Sequence, residues 1–270
     1  AVYKSISMLG LGTENLELAP VDDQGRMIPE QMPQLDDAAL VVTQVGNVNS
    51  GAIDPVGRIC SRVRDTGSWV HVDGAFGLWA AATERRRHLT DGVAGADSWA
   101  VDAHKWLNVP QDCGMAIVAH PDAHRAAIST TTSYMIKSGG AGRDPVDWTP
   151  DFSRRARALP VYATLRHLGR TGVAELVDRC GAWTLRIVER LSASPHVRIL
   201  NDVVLNQALV RFEPPGRDAD AITRDVIGRI QREGTCWLGG TVWKGVTAMR
   251  VSVINWSTTE DDIDRSADAI

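Results

Sequence analysis

Two stretches, WVHVDGAFG (69–77) and SWAVDAHKWL (98–107), decide how this chain reads. Each opens on a short apolar run rich in β-branched and aromatic residues, then breaks on an acid, Asp73 in one and Asp102 in the other. Runs of this kind predict two parallel strands, joined by a crossover helix through ATERRRHLTDGV. In open α/β sheets, ligands bind beyond the carboxyl ends of the strands. Asp73 and Lys105 are therefore expected at one edge of the sheet, a carboxylate and an amine facing one cleft. An isolated pair of this kind reads first as a salt bridge or a helix cap, so what surrounds it has to carry the functional argument.

Working outward, LVVTQV (40–45) precedes a helical DPVGRICSRVRDTG (54–67), and CGMAIVA (113–119) follows the second acid-ended strand. This is the β-α-β rhythm of a mainly parallel sheet covered by helices. The nearly continuous apolar runs are those expected of strands buried on both faces. A Gly- and Ser-rich stretch, SYMIKSGGAGRDP (133–145), reads as a loop. The run LPVYATLRHLGRTGVAELVDRCGAWTLRIVERLSA then reads as a long amphipathic helix bent near Gly169 to Gly172. HVRILND, NQALVRFEP, a helix over ADAITRDVIGRIQREG, and TAMRVSVIN complete a small α+β tail. The expected division is 1–159 for the larger α/β part and 160–270 for the small C-terminal domain.

The 270 residues are 44% hydrophobic and 23% charged, enough for a packed core. A net charge of −4 argues against nucleic acid or an anionic membrane as partner and for a small molecule. No apolar run is long enough to span a bilayer. Cys60, Cys113, Cys180 and Cys236 form no C-x-x-C pair, which favours reduced thiols and a cytoplasmic location over disulfides or zinc. Lysine is scarce, with only Lys4, Lys105, Lys137 and Lys244, so a lysine inside an apolar segment stands out. The tryptophans Trp69, Trp79, Trp99 and Trp106 read as packing residues.

A pyridoxal 5'-phosphate (PLP) enzyme needs one lysine to hold the cofactor aldehyde, one carboxylate against the pyridine nitrogen, and a small residue where the ring lies flat. Lys105, Asp73 and Ala75 meet that requirement. With HVDGAFG (71–77) and ADSWAVDAHKWL (96–107), the chain resembles the group II pyridoxal-dependent amino-acid decarboxylases. The resemblance implies a PLP-dependent transferase-like fold (fold type I), a three-layer α/β sandwich present here as a partial large domain plus the small domain. It implies Lys105 as the Schiff-base lysine, Asp73 as the pyridine-nitrogen carboxylate and Ala75 as the ring-facing alanine. His104 and Asp102 fall near the cofactor phosphate and the lysine. Many relatives have asparagine where this chain has Asp102, and an ionised carboxylate cannot donate a hydrogen bond to phosphate.

The resemblance extends to VGNVNSGAID (45–54), which puts Asn47 near the ring hydroxyl, where relatives often use threonine; Asn47 reads equally as a turn residue. In SYMIK (133–137) it marks Tyr134 as the general acid for the substrate α-carbon, often acting in a neighbouring subunit's site, against the plainer reading of a surface tyrosine. Arg154 and Arg250 lie in the family's arginine-bearing segments and read either as anion-binding groups or as structural ion-pair partners.

The implied activity is decarboxylation of an L-amino acid in a homodimer with shared sites. Other PLP lyases and aldehyde-forming enzymes share the same cofactor grip and stay open as alternatives. The chain opens on Ala1, and the family's phosphate-binding loop and ring-stacking histidine are expected upstream of it. An amino-terminally truncated, inactive remnant acting only in interactions is therefore a further reading. A metal hydrolase built on His71, Asp73 and His104 is a weaker one, since dense ligand motifs are missing. GLGTEN (10–15) lacks the third glycine of a dinucleotide loop.

Overall fold

A computed structural model describes residues 2–35, 39–130 and 142–270. A short helix, α1 (Val2–Met8), leads into β1 (Leu40–Gln44), α2 (Val56–Val63), β2 (Trp69–Asp73), β3 (Ser98–Asp102), β4 (Gly114–Val118) and α3 (Pro121–Ile128). The four strands form one sheet in the order β1-β2-β3-β4, parallel except for β4, which runs antiparallel to β3.

The crossover from β2 to β3 differs from the expected helix. It is built from three 3-10 turns, Gly77–Ala82, Arg87–Thr90 and Val93–Gly95. Gly92, with φ 79°, sits in the left-handed region just before the last turn, and its backbone lies hard against that of Gly57 in α2. That close approach and the repeated turns leave no room for a continuous helix.

Burial of the strands also departs from expectation. Val41, Val45, Val70 and Val72 pack with Val56, Ile59 and Val63 of α2 on one face. Alternate residues point the other way, and β2 reads as alternately half-buried and buried rather than buried throughout. The second face is polar: His71, Asp73, Ser98 and Asp102 share it by register. Ser98 Oγ there lies 2.8 Å from both Trp69 Nε1 and His71 Nδ1.

The long helix α4 (Ala158–Leu191) has the expected break at Gly169, whose φ of 62° and ψ of −175° are not helical. Before and just after the break it buries Val161, Val173, Leu176 and Val177 against the β3–β4 loop and Phe76. Its last turns bury Ile187 and Leu191 against a second sheet. That sheet holds β5 (Val197–Ile199), β6 (Gln207–Phe212), β7 (Gly239–Trp243) and β8 (Val246–Ser252) in the order β5-β6-β8-β7, all antiparallel. α5 (Ala219–Glu233), capped by the Asp218 side chain, and α6 (Glu260–Ala269) cover it. β7 was not expected from sequence. It joins β8 through Lys244-Gly245, both at positive φ, as a tight hairpin demands.

Two local devices hold the end of β1 against β2. Gly46, at φ 99°, faces the Phe76 ring, and a methyl group on Gly77 would overlap the carbonyl of Val45. Asp54, buried, accepts the backbone N–H groups of Met27 and Gln44, each at 2.7 Å, and so pins the loop after β1.

Gly77→Ala should cost about 3 kcal/mol in urea unfolding, the upper range for overpacking a tight site; an unchanged midpoint would remove the close-approach argument. Burial pushes the Asp54 carboxyl above its ordinary range, against the pull of its two backbone donors. A raised folded pKa means that the native state holds the extra proton. Its contribution is complete below the unfolded pKa of about 3.9 and is lost as pH rises through the folded value. Asp54→Asn leaves one acceptor for two donors and should destabilise by about 1–3 kcal/mol. Across denaturation curves at several pH values, the gap between wild type and variant should narrow as pH rises from about 4. A gap that widens would reverse the assigned sign.

Candidate functional site

The site grows out of the parallel pairing of β2 with β3, in which Asp73 stands opposite Ala100. Asp102 lies two residues further along β3 and therefore on the same face as Asp73. Beyond the paired ends, the chains stay tied. Gly74 N–H donates to Ala100 O at 2.9 Å and Asp102 N–H to Ala75 O at 2.8 Å, while the Trp79 indole donates to Asp102 O at 3.1 Å. Asp73, Ala75 and Asp102 are thus brought together at the carboxyl ends of two adjacent strands, as the sequence reading requires.

Lys105 follows in a short turn closed by Asn108 N–H on its carbonyl at 3.1 Å. Ala103 and Trp106 on either side are fully buried, which holds the turn while the Lys105 side chain stays 40% exposed. Lys105 Nζ sits 2.9 Å from Asp102 Oδ2, with His104 Nε2 3.7 Å from the same oxygen. The other face of the His104 ring is fixed by Cys113, whose carbonyl oxygen and amide nitrogen lie 2.8 and 3.1 Å from Nδ1. Asp102 therefore partners the lysine directly.

The Asp73 carboxylate has a single side-chain hydrogen bond among the described residues, from Ala75 N–H at 3.2 Å. It keeps acceptor capacity for a ligand. A half-buried primary amine, a carboxylate with free acceptor sites on the neighbouring strand, and a methyl-sized residue bonded to both strand ends form a donor set that fits a pyridoxal ring.

Asn47 is placed at the carboxyl end of β1, but its carboxamide works within its own loop. Oδ1 accepts Asn49 N–H at 2.9 Å and Ser50 N–H at 3.3 Å, and Nδ2 donates to Gln44 Oε1 at 3.0 Å. This is the turn role that sequence left open. That loop is tied to the C-terminal sheet: Ser50 O accepts from Asn201 Nδ2 at 2.8 Å, and Arg250 Nη1 donates to Val48 O at 3.1 Å. Arg250 is thereby brought to the loop of Asn47. Arg154 is exposed, while its neighbours Arg155 and Arg157 both pair with Asp112. Tyr134 lies outside the described residues.

His71, on the same face as Asp73, is bonded to Ser98, and burial holds its imidazole below the ordinary histidine pKa despite the nearby Asp73. Among the described residues no group of three or more His, Cys, Asp or Glu side chains could hold a metal ion, and no helix is long and apolar enough to cross a membrane. Sequence reasoning overlooked Asn108, whose only signal was a residue type tolerant of left-handed backbone immediately after the H-K-W-L run.

Residues 4–213 match the family model described as the pyridoxal-dependent decarboxylase conserved domain. Curated relatives include 4-hydroxyphenylacetaldehyde synthase of Rhodiola rosea, 26% identical over 96% of this chain and 55% of the relative. An acidic amino acid decarboxylase of Bos taurus is 27% identical over 100% of this chain and 56% of its own length. The chain thus spans about half the length of the curated relatives it matches. A crystal structure of Oryza sativa TDC with PLP and tryptamine superposes with a TM-score of 0.91 at 21% identity, covering 98% of this chain and 58% of that one. This likeness carries the fold, that of fold type I PLP enzymes, with a partial large domain and a small C-terminal sheet. With more than half its length matched by the family model and with the lysine, carboxylate and alanine gathered at one sheet edge, this chain belongs to the pyridoxal-dependent decarboxylase family.

Proposed function

We propose that this chain carries the lysine side of a PLP-dependent amino-acid decarboxylase site. The observation that supports the reading is that adjacent parallel strands put Asp73 and Asp102 on one face, with Ala75 O bonded to Asp102 N–H and Lys105 Nζ 2.9 Å from Asp102 Oδ2. Lys105 would hold the cofactor through its amine, Asp73 would keep a proton on the ring nitrogen, and Ala75 would leave a flat surface for the ring. When bound, pyridoxal phosphate supplies an electron sink for the bond broken in decarboxylation.

The chain's own groups do the rest. Asp102 orients the lysine amine, and His104, held by Cys113, approaches the same carboxylate oxygen. Asn47 belongs to the cofactor side of the cleft as the residue that shapes the loop after β1. Tyr134 delivers a proton to the substrate α-carbon. Arg250, which donates to Val48 O in that loop, is the candidate to meet an anionic group, and Arg154 is the weaker candidate for the same task.

The reading carries with it an L-amino acid as substrate, a homodimer with shared sites, and a division of the chain at residue 160. A cytoplasmic location is supported by four free cysteines, two of them buried. A second reading, an aldehyde-forming enzyme on the same cofactor grip, is favoured by the similarity to the Rhodiola synthase.

Mixing the protein with pyridoxal phosphate and reducing with borohydride should label the peptide containing Lys105, and Lys105→Ala should abolish the label. Label retained on another lysine would remove the assignment. In the intact gene product, assayed against an amino-acid panel for amine and aldehyde, Tyr134→Phe should slow amine formation about 100-fold or divert it to another product. Unchanged turnover and product would sink the role of Tyr134, and aldehyde as the wild-type product would select the second reading.

A further inference from the structure

We propose that Asn108 is a positioning residue for Lys105, a latch that couples the lysine turn to the exit of β8 in the C-terminal sheet. The inference rests on the reading of Lys105 given above and adds a residue that the reading does not need. Asn108 lies at φ 54°, a left-handed backbone that few residue types other than glycine and asparagine adopt readily. Its backbone N–H closes the turn on Lys105 O at 3.1 Å.

The side chain then reaches in two directions. Nδ2 donates to Trp106 O at 2.7 Å, inside the lysine turn, and to Ile254 O at 3.0 Å, just beyond β8. Oδ1 accepts Trp256 N–H at 3.4 Å, and Trp256 O in turn accepts Arg179 Nη2 of α4 at 3.0 Å. One carboxamide uses both donors and its acceptor to join segments almost 150 residues apart in sequence.

The same strand also reaches the loop after β1. Arg250, four residues before Ile254, donates to Val48 O in the loop that carries Asn47. β8 and its exit therefore touch both the loop after β1 and the turn that carries Lys105. A shift of β8 would be felt at the lysine through Asn108 and at the loop after β1 through Arg250. A mere fold-stabilising bond would alter stability without altering how Lys105 meets an aldehyde.

Two variants separate these roles. Asn108→Gly keeps the left-handed backbone and deletes the carboxamide, whereas Asn108→Asp keeps the size and turns the donors into an acceptor facing two carbonyls. In cofactor-free protein, hydrogen exchange over residues 103–109 and 253–257 should accelerate together in both variants, with exchange in β5 and β6 unchanged. In borohydride trapping with pyridoxal phosphate, the limiting rate of Lys105 labelling should fall about tenfold, while the half-saturating concentration holds. Faster exchange in only one of the two segments, or a limiting rate equal to that of wild type, would overturn the latch. Wild-type protein that gives no Lys105 label would instead defeat the cofactor reading, and the exchange comparison would still decide the coupling.

Discussion

The parallel register between β2 and β3 is the constraint on which the site depends. Side chains alternate across a strand, so setting Asp73 opposite Ala100 puts Asp73 and Asp102 on one face. A slip of one residue would turn either acid into the face packed by α2. Burial enforces the register: Val70, Val72, Val41 and Val45 have to meet Val56, Ile59 and Val63. The apolar face is thus what aims the polar one, although the two share no atoms.

Beyond the strands, the site is held by backbone and buried polar groups more than by surface ion pairs. Gly46 and Gly77 let two loops approach to backbone contact, Asp54 ties the loop after β1 to both Gln44 and Met27, and Asn201 and Gln24 join that loop to the chain before β6. Each is a buried hydrogen bond or a close contact whose loss leaves a group unpaired or a clash unrelieved. The exposed Arg190–Asp268 pair between α4 and α6 contributes far less, because solvent screens it.

The ion pair of Lys105 with Asp102 changes the meaning of one residue. The resemblance placed Asp102 near both the phosphate and the lysine, and against the phosphate its charge was awkward. Beside the lysine amine the same charge is useful, since it orients the group proposed to meet the cofactor aldehyde. The departure from asparagine and the geometry agree on this point: a carboxylate suits an ammonium neighbour better than an anionic one.

How much was legible follows from how local each signal is. The strands ending on Asp73 and Asp102, the break at Gly169 and the helix α5 are written in runs of a few residues, where period and turn chemistry act directly. The crossover after Ala75 was misread as helix because its outcome depends on the Gly57–Gly92 contact between distant segments. β7 was missed because an exposed, Gly-rich edge strand carries little pattern of its own. The sequence by itself determined which residues are candidates for the chemistry, namely Lys105, Asp73 and Ala75, because strand alternation and residue type are local. Only the tertiary structure decided what orients them: Asp102 against the amine, Cys113 behind His104, Asn108 across to Ile254. The first two contacts are local in the chain but depend on how the turn after β3 closes, and the third joins segments almost 150 residues apart, which no spacing along the sequence records.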